Sequence, residues 1–182
     1  MKVQPLILTL ALSFPLAVFG QTAASTKTNE HLSTTDHEFL QKLGKEDQSE
    51  IDIAKMAVKK SNDPQVQQYA KSILSADPSM EEQAKTIAQD AKHPIDANVT
   101  PQQKAEYDRL SKLSGHNFDH AYINYEATRQ QEDVAMVQHE INSTRNEKVK
   151  AFAQQEETPV RNAAELAKKT QPQVAHEMSA KK

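Results

Sequence analysis

Glu50, Asp77 and Gln130 are polar residues standing where helical periodicity calls for apolar ones. Glu50 falls in the run Leu40, Leu43, Asp47, Glu50, Ala54, and Asp77 in the run Val66, Tyr69, Ile73, Asp77, Met80, Ala84, Ile87, Ala91. Gln130 falls in Ile123, Ala127, Gln130, Val134, Val137, Ile141. Steps of three and four residues place each run on one helix face. A fourth run, Val149, Phe152, Glu156, Val160, Ala163, Ala167, carries Ala163 near its middle. Polar groups at such inward positions are costly unless partnered. In helix bundles they are where carboxylates and histidines hold metal ions. None of these four residues is an imidazole.

The histidines add weaker signals. His116 and His120 are spaced i, i+4 and could share one helix face. Such a pair can chelate a metal but is more commonly solvated. His31 and His37 fall in or beside a polar leader, and His139 lies about 13 Å along a helix from Gln130. No G-x-S-x-G nucleophile motif and no phosphate-binding glycine loop is present. The sequence therefore assigns no catalytic residue and calls for no cofactor.

Four long helices must position these residues, near 36–61, 64–92, 117–142 and 145–169. The first opens with Thr35 and Glu38 as a capping box. The second opens with Asp63 as N-cap and Pro64 in its first turn. Thr100-Pro101-Gln102-Gln103 starts a short helix that reaches Leu113, and Gly115 closes it. The last helix opens near Thr144 with Glu147. Short connections make the first and second, and the third and fourth, antiparallel neighbours. Asp77-Pro78 and Thr158-Pro159 read as an N-cap and a first-turn proline, which predicts a kink or restart in the second and fourth helices. Phe39, Tyr69, Phe118, Tyr122, Tyr125 and Phe152 lie at helical spacing and read as core.

The chain of 182 residues begins with Lys2, an uncharged apolar stretch over 6–19, and Val18 and Gly20 at the −3 and −1 positions before Gln21. That is the layout of a cleaved secretory signal. Pro15 interrupts the stretch, which is shorter than the ~20 apolar residues of a membrane span. The expected organisation is a signal over 1–20, a flexible leader over 21–34, a helix-bundle domain over 35–169 and a flexible tail over 170–182. With no cysteine, neither a lipid-anchored cysteine nor a disulfide framework is available. Removing Lys2 with the signal takes the net charge from −3 to −4, which argues against nucleic acid as a partner. Three glycines in the whole chain, among many Ala, Gln, Lys and Glu, point to an all-α fold.

Several stretches carry a resemblance to a known family. They are Asp36-His37-Glu38-Phe39-Leu40, Glu50-Ile51-Asp52-Ile53-Ala54, Asp63 through Ala70, and Ser114-Gly115-His116-Asn117-Phe118-Asp119-His120-Ala121-Tyr122-Ile123. Val149-Lys150-Ala151-Phe152-Ala153 before Thr158-Pro159-Val160 completes them. Together they resemble the bacterial domain of unknown function 4142, whose members are often labelled exported or outer-membrane proteins. The Phe-Asp-x-Ala-Tyr motif after a glycine is the most specific part. The resemblance implies a ferritin-like four-helix bundle, with the short helix in the long second connection. It also implies a central site formed by one glutamate facing three histidines. On this chain the glutamate is Glu50, and the histidine positions fall on Asp77, Gln130 and Ala163. The site is thus expected to be vacated and to hold no metal.

The functional expectation is a non-enzymatic, periplasmic or secreted protein with no membrane span after signal cleavage. It would act by binding an envelope partner or another copy of itself. The alternative is a ferritin-like metal or redox protein with an unusual ligand set. An empty seat at Glu50 also predicts that Glu50→Gln leaves stability unchanged or raises it.

Overall fold

The computed structural model describes residues 31–75, 79–96 and 98–180. The expected signal and most of the leader lie outside the described residues, as does Asp77-Pro78. Six helices follow in order: α1 (Thr34–Lys60), α2 (Pro64–Leu74), α3 (Ser79–Asp90), α4 (Pro101–Ser111), α5 (Gly115–Ser143) and α6 (Glu147–Ala180). No strand occurs among the described residues, so the fold is all-α, as the composition requires. No described helix is long and apolar enough to cross a membrane.

The helix starts show why these segments fold where they do. Ser33 caps α1: its Oγ accepts from Asp36 N at 3.0 Å, while Asp36 accepts from Ser33 N at 2.7 Å. The expected box at Thr35 and Glu38 is displaced two residues upstream. Asp36 wins because it also accepts from Thr144 Oγ1 at 2.6 Å, tying this cap to the α5–α6 connection. Asp63 caps α2 and Thr100 with Gln103 caps α4, each ahead of a first-turn proline, as read from sequence. Asn146, not Thr144, caps α6, accepting from Lys148 N and Val149 N at 3.0 and 3.2 Å. Gly115 opens α5 rather than closing α4, and its φ of +53° is the left-handed conformation that glycine adopts freely.

The single helix expected over 64–92 is two helices, α2 and α3. Pro78 has no N–H to offer the carbonyl of Leu74, where α2 ends. The fourth helix does not restart, because α6 runs unbroken through Pro159 and Pro172. The flexible tail expected from residue 170 is also corrected: helix continues to Ala180, with Thr170 and Val174 buried. Those two residues extend the stripe of Ala163 and Ala167 by steps of three and four, so burying them keeps the chain helical.

Long-range contacts fix the chain path. Asp36 with Thr144 and Lys148 with Asp90 (3.3 Å) gather the start of α1, the end of α3, the end of α5 and the start of α6 at one end. At the other end Lys60 lies 5.5 Å over the Phe118 ring and donates to the Ser111 carbonyl, and Gln171 donates to Asn124 at 2.8 Å. Hence α1 and α6 run one way and α2–α3 and α5 the other, with α4 lying along α1 in the single long crossover. The expected antiparallel pairs follow.

Two apolar clusters fill the ends. One contains Ile53, Tyr69, Leu110, Phe118 and Tyr122; the other contains Phe39, Leu40, Ile87, Val149 and Phe152. Between them lies a layer of charge.

Candidate functional site: a buried carboxyl cluster around Arg129

The layer is built from the middles of α1, α5 and α6. On α5, Glu126, Arg129, Gln130 and Asp133 are spaced so that all four face inward, and all are buried. Arg129 is the one buried Lys or Arg among the described residues. Its guanidinium donates to Glu46 at 2.7 Å and to Glu50 at 2.9 Å, and lies 3.1 Å from Asp133. Gln130 Nε2 donates to the other oxygen of Glu50. Glu126 is fully buried; one oxygen accepts from Tyr69 Oη at 3.2 Å and the other has no hydrogen-bond partner. Glu156 on α6 is buried with one oxygen likewise unpartnered. An open cleft of about 930 Å³ between α1, α4 and α5 reaches this layer, with Lys45, Glu46, Gln103, Tyr125 and Arg129 among its walls.

Burial dominates the ionisation of these groups, since a low-dielectric surrounding disfavours the charged form. Burial pushes the Glu126 carboxyl up to about 8, helped by the nearby charge of Glu50 and opposed by Arg129. Burial raises Glu50 to about 7, with Arg129 pulling the other way. Burial likewise takes Asp133 to about 6 and Glu156 to about 7, and holds Asp47 well above its ordinary value. Arg129 moves in its own favour: burial works against its charge, but Glu50, Asp133, Glu126 and Glu46 outweigh it. Glu50 and Arg129, although paired, therefore shift in opposite senses with respect to their own charges. One cation shared by several acids gains from each of them, while each acid receives only part of it. The arrangement holds protons near neutral pH.

The sequence-derived positions fare unequally. Glu50 and Gln130 meet, as the seams predict. Ala163 is half-buried against the cluster of Tyr69 and Tyr122 and offers no donor. Asp77 lies outside the described residues. His120 lies 3.0 Å from Asn124 Nδ2 and His116 is half-buried, but no group of three or more His, Asp or Glu among the described residues is arranged to hold a metal ion. Sequence reasoning missed Arg129, Glu126, Asp133 and Glu46. The signal was present: Asp119, Tyr122, Glu126, Arg129, Asp133, Val137 and Glu140 recur at steps of three and four along α5 and are all buried.

The profile of the domain of unknown function DUF4142 matches residues 21–177. The chain belongs to this family. The chain is also similar to the crystal structure of a DUF305 fragment from Deinococcus radiodurans, with a TM-score of 0.67 and 16% sequence identity over 79% of this chain and 99% of that one. At that identity the likeness concerns the fold alone. Comparison with curated proteins found no match. The metal seat that the family resemblance implies does not fit this DUF4142 chain. Both oxygens of Glu50 accept from Gln130 and Arg129, and a guanidinium repels a second cation from the same carboxylates.

Proposed function

We propose that this protein is exported and acts without catalysis, by binding a partner protein or another copy of itself in the cell envelope. The observation that carries the non-catalytic part of this reading is Arg129, seated among Glu46, Glu50 and Asp133. The chain path, two helical limbs up and two down with one long crossover, supports a ferritin-like arrangement. In such bundles the central carboxylates hold the reacting metal. Here a side-chain cation takes that place, so the ferritin-like scaffold serves without the chemistry. Export is supported by Lys2, the apolar stretch over 6–19 and the small residues Val18 and Gly20.

Three measurements test the proposal. Intact mass of the protein from the periplasmic fraction should show a chain starting within a few residues of Gln21; recovery in the inner membrane with Met1 retained would refute export. Chemical cross-linking in intact cells should give a discrete adduct, of twice the mass or with one partner; a protein that stays monomeric and uncross-linked would refute the binding role. Elemental analysis should find no iron, zinc or manganese that depends on Glu50. One tightly held ion per chain, lost in Glu50→Gln, would establish the metal reading instead.

A further inference from the structure

We propose that the groove between α1 and α4 binds one long-chain fatty acid, with its alkyl chain on an apolar floor and its carboxylate among lysines at the rim. The groove has a volume of about 540 Å³, within the roughly 300–1,000 Å³ of small-molecule sites. Gln103 Nε2 donates to the Lys45 carbonyl at 3.2 Å, and Lys60 donates to the Ser111 carbonyl, so α4 is held alongside α1 at both ends. The α1 wall runs over successive turns from Asp52 to Lys60, about 12 Å of helix, and faces Lys104 and Tyr107 of α4. That length suits an extended alkyl chain.

Floor and rim differ in chemistry. Among the described residues three large apolar side chains are exposed, Leu74, Val99 and Tyr107, and the last two line this one groove. Met56 joins them with an adaptable thioether side chain. Single exposed apolar residues are ordinary, whereas a group of them rimmed by polar residues marks a binding surface. The rim carries Lys55, Lys59, Lys60 and Lys104 against one acid, Asp52, in a chain whose net charge is −3. Among the described residues neither Lys59 nor Lys60 has a carboxylate within ion-pair distance. Lys55 lies 3.7 Å from Asp52 and Lys104 lies 3.6 Å from Asp108, and both contacts are long and exposed to solvent, so they hold an ammonium group weakly. Lysine stems lie along apolar surface while their charge stays in water. The rim thus extends the floor and ends in positive charge.

This lining selects an anionic head joined to an apolar tail. It also favours a fatty acid over an acidic peptide. Gln103 is the one amide side chain in the groove, and its Nε2 is spent on Lys45 and its Oε1 on Thr100 N at 2.7 Å. No amide is left to pair with a peptide backbone, and an alkyl chain asks for none. The groove is separate from the layer around Arg129, and the inference does not depend on the partner proposed above.

The test is calorimetric titration of the purified protein with sodium dodecanoate, below its micellar concentration and in low salt, followed by methyl NMR. Wild type should bind one dodecanoate per chain, with shifts concentrated at the methyl groups of Met56 and Val99. Butyrate keeps the carboxylate and loses the tail; dodecyltrimethylammonium keeps the tail and reverses the charge. Each should bind at least tenfold more weakly than dodecanoate. Lys59→Gln combined with Lys104→Gln should weaken dodecanoate binding at least tenfold, and Tyr107→Ser several-fold, with the far-ultraviolet circular dichroism spectrum unchanged because all three positions are exposed. Lys168→Gln combined with Lys169→Gln removes the same charge from an exposed stretch of α6 and should bind within twofold of wild type. No dodecanoate binding by wild type, unchanged affinity in the Lys59 and Lys104 double variant, or equal affinity for dodecyltrimethylammonium would overturn the proposal. Tighter binding of a hexaglutamate peptide than of dodecanoate would assign the groove to an acidic protein segment and overturn it as well.

Discussion

The ends of the bundle and its middle are stabilised by opposite devices. At one end Phe118 stacks on Tyr122 with ring centres 5.9 Å apart, and at the other Phe39 meets Phe152 edge-on at 6.2 Å. The phenylalanine rings are withdrawn from water and ask for no partner, so their contribution scales with buried area, roughly 25 cal/mol per Å², and is indifferent to pH; only the Tyr122 hydroxyl brings a buried polar atom, without a hydrogen-bond partner, into these stacks. In the middle, Glu46, Glu50 and Asp133 converge on Arg129, and Glu126 and Glu156 are buried beside them, each with an oxygen left unpartnered. Here burial opposes charge, and the layer is tolerated because one guanidinium and several retained protons offset it. The ends are thus specified by pattern, and the middle by charge balance across helices.

The largest effects should come from breaking each device in turn. Phe152→Ala should cost about 3–5 kcal/mol, as for other buried aromatic rings, and urea unfolding should give the same loss at pH 5 and pH 8. Arg129→Met should cost a similar amount, about 3–5 kcal/mol, at pH 8, where it leaves buried carboxylates without their cation. At pH 5 the same substitution should cost less than half as much, because the acids can take up protons instead. An equal loss at both pH values would erase the contrast between middle and ends.

An intermediate effect concerns the unmodified protein. Glu50, Glu126, Glu156 and Asp133 in the middle, and Glu140 beside Asp36 at the end where α1 begins, all have folded-state values raised above those of the unfolded chain. The folded state therefore binds more protons, and stability falls as pH rises. This contribution is fully present below the ordinary values of 4.5 and 3.8 and is lost as pH rises through about 6 to 8. The melting temperature should rise by several degrees between pH 8 and pH 5. Asp36, whose hydrogen bonds from Thr144 and Ser33 outweigh burial and hold it below its ordinary value, acts in the opposite sense at lower pH. A stability maximum at pH 8 would show that the middle layer is fully ionised and paired.

The smallest effect is expected at Glu50. In Glu50→Gln, Arg129 keeps Glu46 and Asp133, so thermal melts at pH 7 should change by the equivalent of no more than about 1 kcal/mol. The sequence alone points the same way, but from a Glu50 without any cation, and the ion pair with Arg129 at 2.9 Å corrects that premise. The structure reaches that expectation by a different route, an excess of acids over cations. A loss as large as that of Arg129→Met would mean that Glu50 alone carries the pair.

The two regions also differed in how legible they were. Periodicity placed Tyr69, Phe118, Tyr122, Phe39 and Phe152 in the core, because an apolar residue declares its burial by its own type. The caps at Asp63 and Thr100 were equally plain, since both act within three residues of themselves. The capping box sits at Ser33 and Asp36 rather than at Thr35 and Glu38 because the deciding partner of Asp36, Thr144, is 108 positions away. Arg129 and Glu126 were overlooked for a related reason. A charged residue reads as solvent-facing unless its partner is known, and Arg129 finds Glu50 only after α1 and α5 have packed. The helical end of the chain was misread because Pro172 suggests a stop, while the burial of Val174 on the bundle overrides it.

The central claim, that the middle layer stores protons around one cation, is tested most directly by the carboxyl titration of Glu126. Carbon-13 detected NMR of side-chain carboxyls, recorded from pH 4 to pH 10, should show Glu126 titrating near 8, with its midpoint rising further in Tyr69→Phe, because the Tyr69 hydroxyl donates to the ionised carboxylate and favours its charged form. A Glu126 midpoint near the ordinary 4.5 would contradict the account, because the layer would then be an ionised and fully compensated salt-bridge network.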